Sequence, residues 1–253
     1  MKVALCLSGY FSSQKDKSSL GKDGFEHIKA NILSKADVDV YMHCWNDDKK
    51  NEIEELYAPF IKASKFEKQI DFKTVFHDNG LDKYPIHGTP FYNIFSQFYS
   101  IQESFKLLYQ NNFRQYDFVI KSRFDLGRIN RKNTSPIIDL YNRVRGNGRI
   151  YPVQCINFDP SLDNNNIYFP KWAKHRIDSE GLADMWYYSS TINMKKFLCI
   201  YDFMINEIVA NSEYTDWASN ERGGPLNAIK ALKYFLIKNE LWDEVELLKT
   251  KWE

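Results

Sequence analysis

The sequence predicts an α/β protein with a mostly parallel central sheet, flanking helices and a less regular second half. Two short apolar runs, Val3–Leu7 and Val38–Met42, have the length and continuity of strands that are buried on both faces. Apolar residues at helical spacing separate such runs, most clearly in Asn93–Gln110. Strands that alternate with helices in this order indicate parallel pairing.

The first half of the chain contains further predicted elements. The first run ends in Ser8-Gly9, which favours a turn, and the segment Asn51–Ile61 favours a helix. Phe72–Phe76 indicates a third short strand, and the glycines and prolines of Asp78–Pro90 indicate a loop. A helix is also expected between the first two runs, where the apolar residues are Phe25, Ile28 and Ile32.

The second half is less regular. Asn130–Pro170 is rich in Asn, Pro and Gly, with short extended pieces such as Arg149–Val153. Met185–Ser189 indicates a strand, and Gly224-Pro225 opens a last helix to about Lys238, because proline is favoured in a first helical turn. No repeat or clear linker is present, so residues 1–253 are expected to form one domain. A helix between these elements is predicted from Met194, Phe197, Tyr201, Met204 and Ile208.

Composition excludes some classes of function. A net charge of +1 provides no broad attraction to nucleic acid or acidic membranes. The four cysteines form no CxxC pair, so we expect reduced thiols and no zinc site. Val3–Leu7 is too short for a signal peptide's apolar segment, and no run approaches the length of a membrane span. A soluble, cytoplasmic protein is expected.

The segment YDFVIKSRFDL gathers charge at the end of an apolar run. Phe118–Lys121 is predicted to be a buried strand, and alternation places Lys121, Arg123 and Asp125 on one face at its carboxyl end. A carboxylate can hold a divalent cation that bridges phosphate oxygens, while Lys or Arg neutralises the remaining charge. A diphosphate site is one interpretation. The alternative is that Arg123 and Asp125 pair with each other or face solvent.

Two other predicted strands end in polar or aromatic residues, where ligands of open α/β sheets bind. Gly9 allows either close approach to a ligand or only a tight turn. Tyr10 and Trp45 offer stacking surfaces for a base, although an aromatic side chain near a strand end is more often part of the core. His43 and Cys44 point to opposite faces of a strand, so His43 is expected to be a core histidine.

Two acidic residues of the second half are candidates for catalysis. Asp184 precedes the aromatic strand and is a candidate general base or ligand; its alternative is a turn or capping role. Glu221 precedes Gly-Gly-Pro, so it either approaches a substrate or only favours the positive end of the following helix.

Several segments together resemble one family. KVALCLSGYF, VDVYMHCW, SQFYSIQESFKLL, YDFVIKSRFDL and ADMWYYSSTINMKKF occur in this order and cover most of the chain. They look like the GT-A-type glycosyltransferases, with a nucleotide-diphospho-sugar transferase fold, of bacterial lipopolysaccharide and capsule clusters and some large viruses. There the first strand typically reads IALCISGQLR, the second DIFIHTW and the fourth YDYVIRTRFDL.

The resemblance implies transfer of a sugar from a nucleotide-diphosphate sugar to a glycan hydroxyl. Residues 1–127 would bind the donor and residues 128–253 the acceptor, in bacterial or virus-infected cytoplasm. Arg123-Phe124-Asp125 resembles a variant Asp-x-Asp motif in which Arg replaces the first acid, so Asp125 would be the ligand of Mn²⁺ or Mg²⁺. The family's Arg after the first turn is missing, where this chain has Tyr10–Ser13. The donor contacts implied are Ser8, Gly9, Tyr10, Trp45, Lys121 and Arg123.

The sequence differs in how well it supports two alternatives to this activity. A sugar-phosphate nucleotidyltransferase is not supported, because no Gly-rich GxGxR loop with a following Pro-Lys comes after the first strand. A non-catalytic nucleotide- or glycan-binding protein with the same fold is the stronger alternative, since a fold does not determine function and the motif lacks its first acid.

Overall fold

One sheet connects both halves of the chain. The computed structural model describes residues 1–11, 20–81, 91–111, 115–127, 155–171, 182–209, 212–219 and 227–248. Within these ranges the strands are β1 (Lys2–Gly9), β2 (Asp37–Cys44), β3 (Ile61–Phe66), β4 (Phe118–Arg123), β5 (Ile167–Pro170), β6 (Tyr187–Ser189) and β7 (Val245–Leu248).

The strand order is β3-β2-β1-β4-β6-β5-β7. The neighbours from β3 to β4 pair in parallel, β6 is antiparallel to both β4 and β5, and β7 is parallel to β5. Only β6 is therefore reversed among the strands that the structure describes. The predicted α/β fold with a mostly parallel sheet is confirmed, and the predicted strands Val3–Leu7, Val38–Met42 and Phe118–Lys121 lie buried within it.

Helices cover both faces of the sheet. One face carries α1 and α2, through core residues such as Phe25 and Ile53. The other carries the four remaining longer helices and the short helices of the second half, through residues such as Phe98 and Phe235. The helices are α1 (Leu20–Ile28), α2 (Lys50–Tyr57), α3 (Phe72–Asp78), α4 (Phe91–Gln110), α5 (Thr191–Lys195), α6 (Ile200–Phe203), α7 (Ser212–Ser219) and α8 (Ala228–Lys238).

Strand β4 shows the alternation expected from its sequence. Phe118 and Ile120 pack into the core on the α1 side, and Phe124 and Leu126 continue on that side beyond the strand. Val119 packs into the core on the α4 side. Lys121 and Arg123 share the parity of Val119, so the strand directs them away from α1, and Asp125 follows in the turn after the strand.

The predicted strand Phe72–Phe76 is wrong, because this segment forms helix α3. The side chain of Asp71 caps that helix by accepting a hydrogen bond from the Lys73 amide at 3.0 Å. Phe72 and Phe76 stand four residues apart, so a helix buries both rings on one face. The strand that pairs with β2 is instead Ile61–Phe66, which is half-exposed and lacks a continuous apolar run.

Other boundaries also differ from expectation. Helix α2 ends at Tyr57 instead of Ile61. The segment predicted as one helix from Met194 to Ile208 is divided into α5, a 3₁₀ turn, α6 and a π turn that ends at Val209. Strand β6 begins at Tyr187.

The last helix is close to its predicted position. Helix α8 ends at Lys238, as expected, and begins after Asn227, whose side chain accepts from the Ile229 amide at 3.0 Å. Gly224-Pro225, Glu221, Arg149–Val153 and most of the predicted loop Asp78–Pro90 lie outside the described residues.

Two further observations concern the cysteines and the apolar character of the described helices. All four cysteines are free thiols, and Cys6 and Cys44 are buried. None of the helices in the described ranges has the length and apolar character needed to span a bilayer.

Helix α1 packs very closely on the segment that follows β4. A Cβ atom at Gly24 would lie 1.8 Å from the carbonyl oxygen of Phe124. We expect Gly24→Ala to lower the free energy of unfolding by about 2 kcal/mol, since the overpacking cost exceeds the gain in helix propensity. Chemical denaturation checks this, with Lys22→Ala, an exposed position on the same helix, as the control. Equal stability of the Gly24→Ala protein would contradict this packing.

Candidate functional site

Three strand ends meet at one edge of the sheet. In the β1–β4 pairing Ser8 lies opposite Arg123, and in the β1–β2 pairing Ser8 lies opposite His43. The parallel strands therefore bring their carboxyl ends together, which is where α/β sheets bind ligands. The two segments from which the sequence predicted a diphosphate site are thus immediate neighbours.

The reversed strand β6 adds an acidic residue to this edge. Lys121 pairs with Tyr187 in the antiparallel β4–β6 ladder, so the residues just before β6 lie beside the carboxyl end of β4. Asp184 is among them and is half-exposed. The edge therefore collects the predicted site residues Ser8, Gly9, Tyr10, Lys121, Arg123, Asp125 and Asp184.

Lys121 is fully buried at this edge. Its ammonium donates hydrogen bonds to the backbone carbonyl oxygens of Asp184 and Met185, the latter at 3.3 Å, and lies 5.4 Å from the centre of the Tyr187 ring. Burial lowers the pKa of Lys121 to about 7, although the nearby negative charge of Asp184 acts to raise it. Lys121 thus connects β4 to the segment that carries Asp184, instead of facing a ligand.

Arg123 and Asp125 form a two-bond ion pair. Nε of Arg123 donates to Oδ1 of Asp125 at 2.8 Å, and Nη2 donates to Oδ2 at 2.7 Å. The side chains are 34% and 26% exposed, so the pair lies at the surface of the edge. Pairing with each other was the alternative interpretation of these two residues, and it is the arrangement that the structure shows.

The pairing of Arg123 with Asp125 affects whether Asp125 can serve as the ligand of the expected divalent cation. Both oxygens of Asp125 already accept hydrogen bonds, and among the described residues no three His, Cys, Asp or Glu side chains are grouped to hold a metal ion. The donor set as it stands does not fit Mn²⁺ or Mg²⁺, because it offers a single carboxylate whose charge the adjacent Arg123 guanidinium already neutralises. The cation therefore stays a prediction.

Asp184 is held from helix α4. Its Oδ2 accepts a hydrogen bond from Nε2 of Gln97 at 2.7 Å, while its carbonyl oxygen accepts from Lys121. A half-exposed carboxylate fixed on two sides is suited to accept a proton at a defined position. The other predicted acid, Glu221, lies outside the described residues.

The turn after β1 directs its backbone groups inward. Gly9 has a φ of +105°, a conformation that favours glycine. Its amide donates to Oγ of Ser100 at 2.7 Å, and its carbonyl oxygen accepts from the Trp45 amide at 3.1 Å. The Phe11 amide donates to Oδ1 of Asn46 at 3.0 Å. These two amides are therefore engaged by the protein and not directed at a phosphate.

Two side chains of this turn also have protein partners. Ser8 is buried, and its hydroxyl donates to the carbonyl oxygen of Ser122 at 3.4 Å. The Tyr10 hydroxyl donates to Oε1 of Gln69, and its ring is half-exposed. Of the predicted contacts in this turn, the ring of Tyr10 has accessible surface, whereas the hydroxyl of Ser8 has a structural partner.

His43 is a buried core histidine, as expected. Its Nε2 lies 2.8 Å from Oε1 of Glu67, and its Nδ1 lies 2.7 Å from Oγ of Ser100. Burial lowers its pKa, so the neutral ring is favoured. The neutral ring donates from Nε2 to Glu67 and accepts the Ser100 hydroxyl proton at Nδ1. A continuous hydrogen-bonded chain thus runs beneath Gly9.

Trp45 also lies in the core. It is 4% exposed, stacks on Tyr99 at 5.5 Å between ring centres and meets His43 edge-on at 4.6 Å. This placement leaves no ring face for a nucleobase, so the structure does not support the predicted donor contact of Trp45. The sequence had left a core position open as the alternative.

Helix α4 supplies polar groups that sequence reasoning missed. Gln97 contacts Asp184, Ser100 contacts Gly9 and His43, and Glu103 accepts from Lys65 at 2.8 Å. These residues stand three apart, so they form a stripe along the helix. Their signal in the sequence was weak: polar residues between the aromatic residues of a helix otherwise suited to a core.

Ser100 is expected to stabilise the turn after β1. Ser100→Ala removes the acceptor for the Gly9 amide and the partner of His43 Nδ1, which leaves buried polar atoms unpaired. We expect a loss of about 1–3 kcal/mol in the free energy of unfolding, measured by urea denaturation. Ser34→Ala is the control, because that exposed serine bonds only to a carbonyl of its own helical turn. Equal stability of the two variants would mean that the Ser100 bonds add nothing.

Comparisons with known proteins identify one distant structural neighbour. The crystal structure of mouse Xyloside xylosyltransferase 1, apo form, matches 98% of this chain and 84% of its own, at 12% sequence identity and a TM-score of 0.41. No family model matches the sequence, and no curated protein matches it.

Proposed function

We propose that this protein is a GT-A-type glycosyltransferase that transfers a sugar from a nucleotide-diphosphate donor to a hydroxyl of a growing glycan. The proposal rests on the ordered resemblance of five segments and on one structural observation. Ser8 lies opposite Arg123 in the β1–β4 ladder, so the two donor motifs of that resemblance share one edge. Asp184, the candidate base, lies at the same edge.

The residues at this edge have separate parts in the proposed reaction. Arg123, one-third exposed, would stabilise negative charge that develops on the diphosphate leaving group. Asp184, held by Gln97, would accept the proton of the acceptor hydroxyl. Tyr10 would contact the donor with its half-exposed ring. No step described here depends on a cation. A requirement of the protein for Mn²⁺ or Mg²⁺ stays a prediction.

The broader parts of the proposal follow the same resemblance. Residues 1–127 would bind the donor and residues 128–253 the acceptor within one domain. The reaction is proposed for the cytoplasm, and the four free thiols agree with a reducing compartment. Bacterial lipopolysaccharide or capsule glycans, or glycans made by a large virus, are the acceptor class that the resemblance suggests.

Donor turnover tests this proposal. The protein is incubated with a panel of uridine, guanosine, adenosine and thymidine diphosphate sugars, with and without Mn²⁺, and release of nucleoside diphosphate is measured. We expect turnover of at least one donor, lowered in Asp184→Asn by roughly 10²-fold as for loss of a general base. Absence of turnover across donors and acceptors would contradict the proposal.

A second candidate function is nucleotide or glycan binding without catalysis. The observation in its favour is the Arg123–Asp125 pair, in which both oxygens of the only carboxylate in the donor motif accept hydrogen bonds from the guanidinium. Calorimetry with the same donor panel distinguishes the two functions. Binding without turnover would favour the binding protein, whereas turnover of any donor would exclude it.

A further inference from the structure

A cavity lies at the edge of the sheet opposite the candidate donor site. Its volume is about 600 Å³, which is within the range of small-molecule sites. It opens beside Asp117, six residues before Arg123, and this length of extended chain spans about 20 Å. The cavity is therefore separate from the edge described above. Its lining residues are Tyr116, Asp117, Asn164, Asn165, Ser190, Thr191, Ile192 and Lys195.

Hydrogen bonds between three segments keep this cavity in shape. Oγ1 of Thr191 donates to the Tyr116 carbonyl oxygen at 2.7 Å, and Nδ2 of Asn164 donates to the Asp117 carbonyl oxygen at 3.0 Å. The Ser190 amide donates to the carbonyl oxygen of Asn164 at 2.8 Å. The walls are thus joined to one another without a ligand, and such preorganisation lowers the cost of binding.

The polar groups of the cavity suit a neutral, hydroxyl-rich ligand. Asn164 and Asn165 direct their amide nitrogens to Asp117 and Asp163, an arrangement that leaves their side-chain oxygens as acceptors. One oxygen of Asp117 accepts the Lys2 amide, and the other adds a further acceptor. Acceptors in this number favour ligands with many donors, and the opposite charges of Asp117 and Lys195 leave the lining without a net charge, which favours a neutral ligand.

An apolar side chain stands at the rim of the same cavity. Ile192 is 78% exposed, the highest value among the large hydrophobic side chains that the structure describes as exposed. Amide and carboxylate acceptors beside one aliphatic surface match the two faces of a sugar ring, whose hydroxyls project outward while its C–H groups form an apolar face. We propose that this cavity binds a neutral saccharide. The proposal does not rest on the transferase activity.

Methyl NMR tests this site directly. Protein labelled at isoleucine δ1 methyl groups is titrated with neutral hexasaccharides of glucose, mannose, galactose or N-acetylglucosamine, and separately with inorganic phosphate. We expect one of the saccharides to shift the Ile192 methyl signal with a dissociation constant in the millimolar range, while the Ile237 methyl, 38% exposed on α8, stays in place. No shift of Ile192 with any hexasaccharide, or a shift with phosphate alone, would overturn the proposal.

Variants locate the binding within the cavity. Asn165→Ala and Ile192→Asp each remove one part of the proposed contact, and each is expected to weaken saccharide binding by roughly tenfold. Both side chains are exposed, so folding is expected to persist, and circular dichroism verifies this. Ile237→Asp is the matched control and should bind normally. Equal affinity of all three variants would place the saccharide elsewhere and refute this assignment.

Discussion

Asp125→Asn is expected to reduce donor turnover by about 10²-fold, the scale of loss that follows when a charge-stabilising group, here the proposed Arg123, no longer has a fixed position. The substitution keeps the size of the side chain but removes the charge that holds the Arg123 guanidinium through two hydrogen bonds. In the proposed reaction Arg123 would then lose its fixed orientation toward the diphosphate leaving group, and the predicted cation would lose its motif carboxylate. Donor hydrolysis measured across a Mn²⁺ titration checks both effects.

A purely structural pair predicts the opposite pattern for this variant. The two side chains are 34% and 26% exposed, and exposed ion pairs contribute only about 0.2–1 kcal/mol. Loss of the pair would then lower the melting temperature slightly and leave turnover intact. Asp78→Asn, at an exposed position on α3, is the control for a lost surface carboxylate. Normal turnover and normal metal dependence in Asp125→Asn would remove Asp125 from the site.

Lys121→Met is expected to change how stability depends on pH. Burial holds the pKa of Lys121 near 7 in the folded state, compared with 10.5 for a lysine exposed to water. Between these two values the unfolded chain binds one more proton than the folded chain, so this group makes stability rise with pH. Between pH 7 and pH 10.5 the free energy of unfolding rises by about 1.4 kcal/mol for each pH unit because of this group. Below pH 7 the effect of Lys121 on the free energy of unfolding is constant.

The measurement compares urea denaturation of both proteins from pH 6 to pH 10. We expect the stability of Lys121→Met relative to the unsubstituted protein to fall by about 3 kcal/mol between pH 7 and pH 10. Other groups titrate equally in both proteins, so the difference isolates Lys121. Lys22→Met, at an exposed site, controls for loss of a charge. A difference that does not vary with pH would show that the Lys121 ammonium is not desolvated.

The central strands were predictable because burial on both faces produces a recognisable local pattern in the sequence. β1, β2 and β4 are covered on both faces by helices, so their sequences are continuous apolar runs. The edge strands β3 and β7 are half-exposed, and their sequences contain no continuous apolar run of this kind. Phe72–Phe76 was mistaken for a strand because five residues are too few to distinguish a period of two from a period of 3.6.

The interior of the site was less predictable than its outline. His43 was expected in the core and lies there, but nothing in the sequence indicated that Ser100 and Glu67 would complete its hydrogen bonds. Gln97 was missed for the same reason. Each of these side chains gains its role from a segment distant in the chain, and one sequence contains no signal for such pairs.

By itself, the sequence determined which face of β4 each side chain occupies, and that Lys121, Arg123 and Asp125 collect at its carboxyl end. That follows from the alternation of a single extended chain, which is a local property. Only the tertiary structure decided that Lys121 faces inward and that the Gly9 amide is engaged. Their partners, Asp184 and Ser100, are 63 and 91 residues away along the chain. Burial and pairing depend on which distant segments pack together, so the fold decides them.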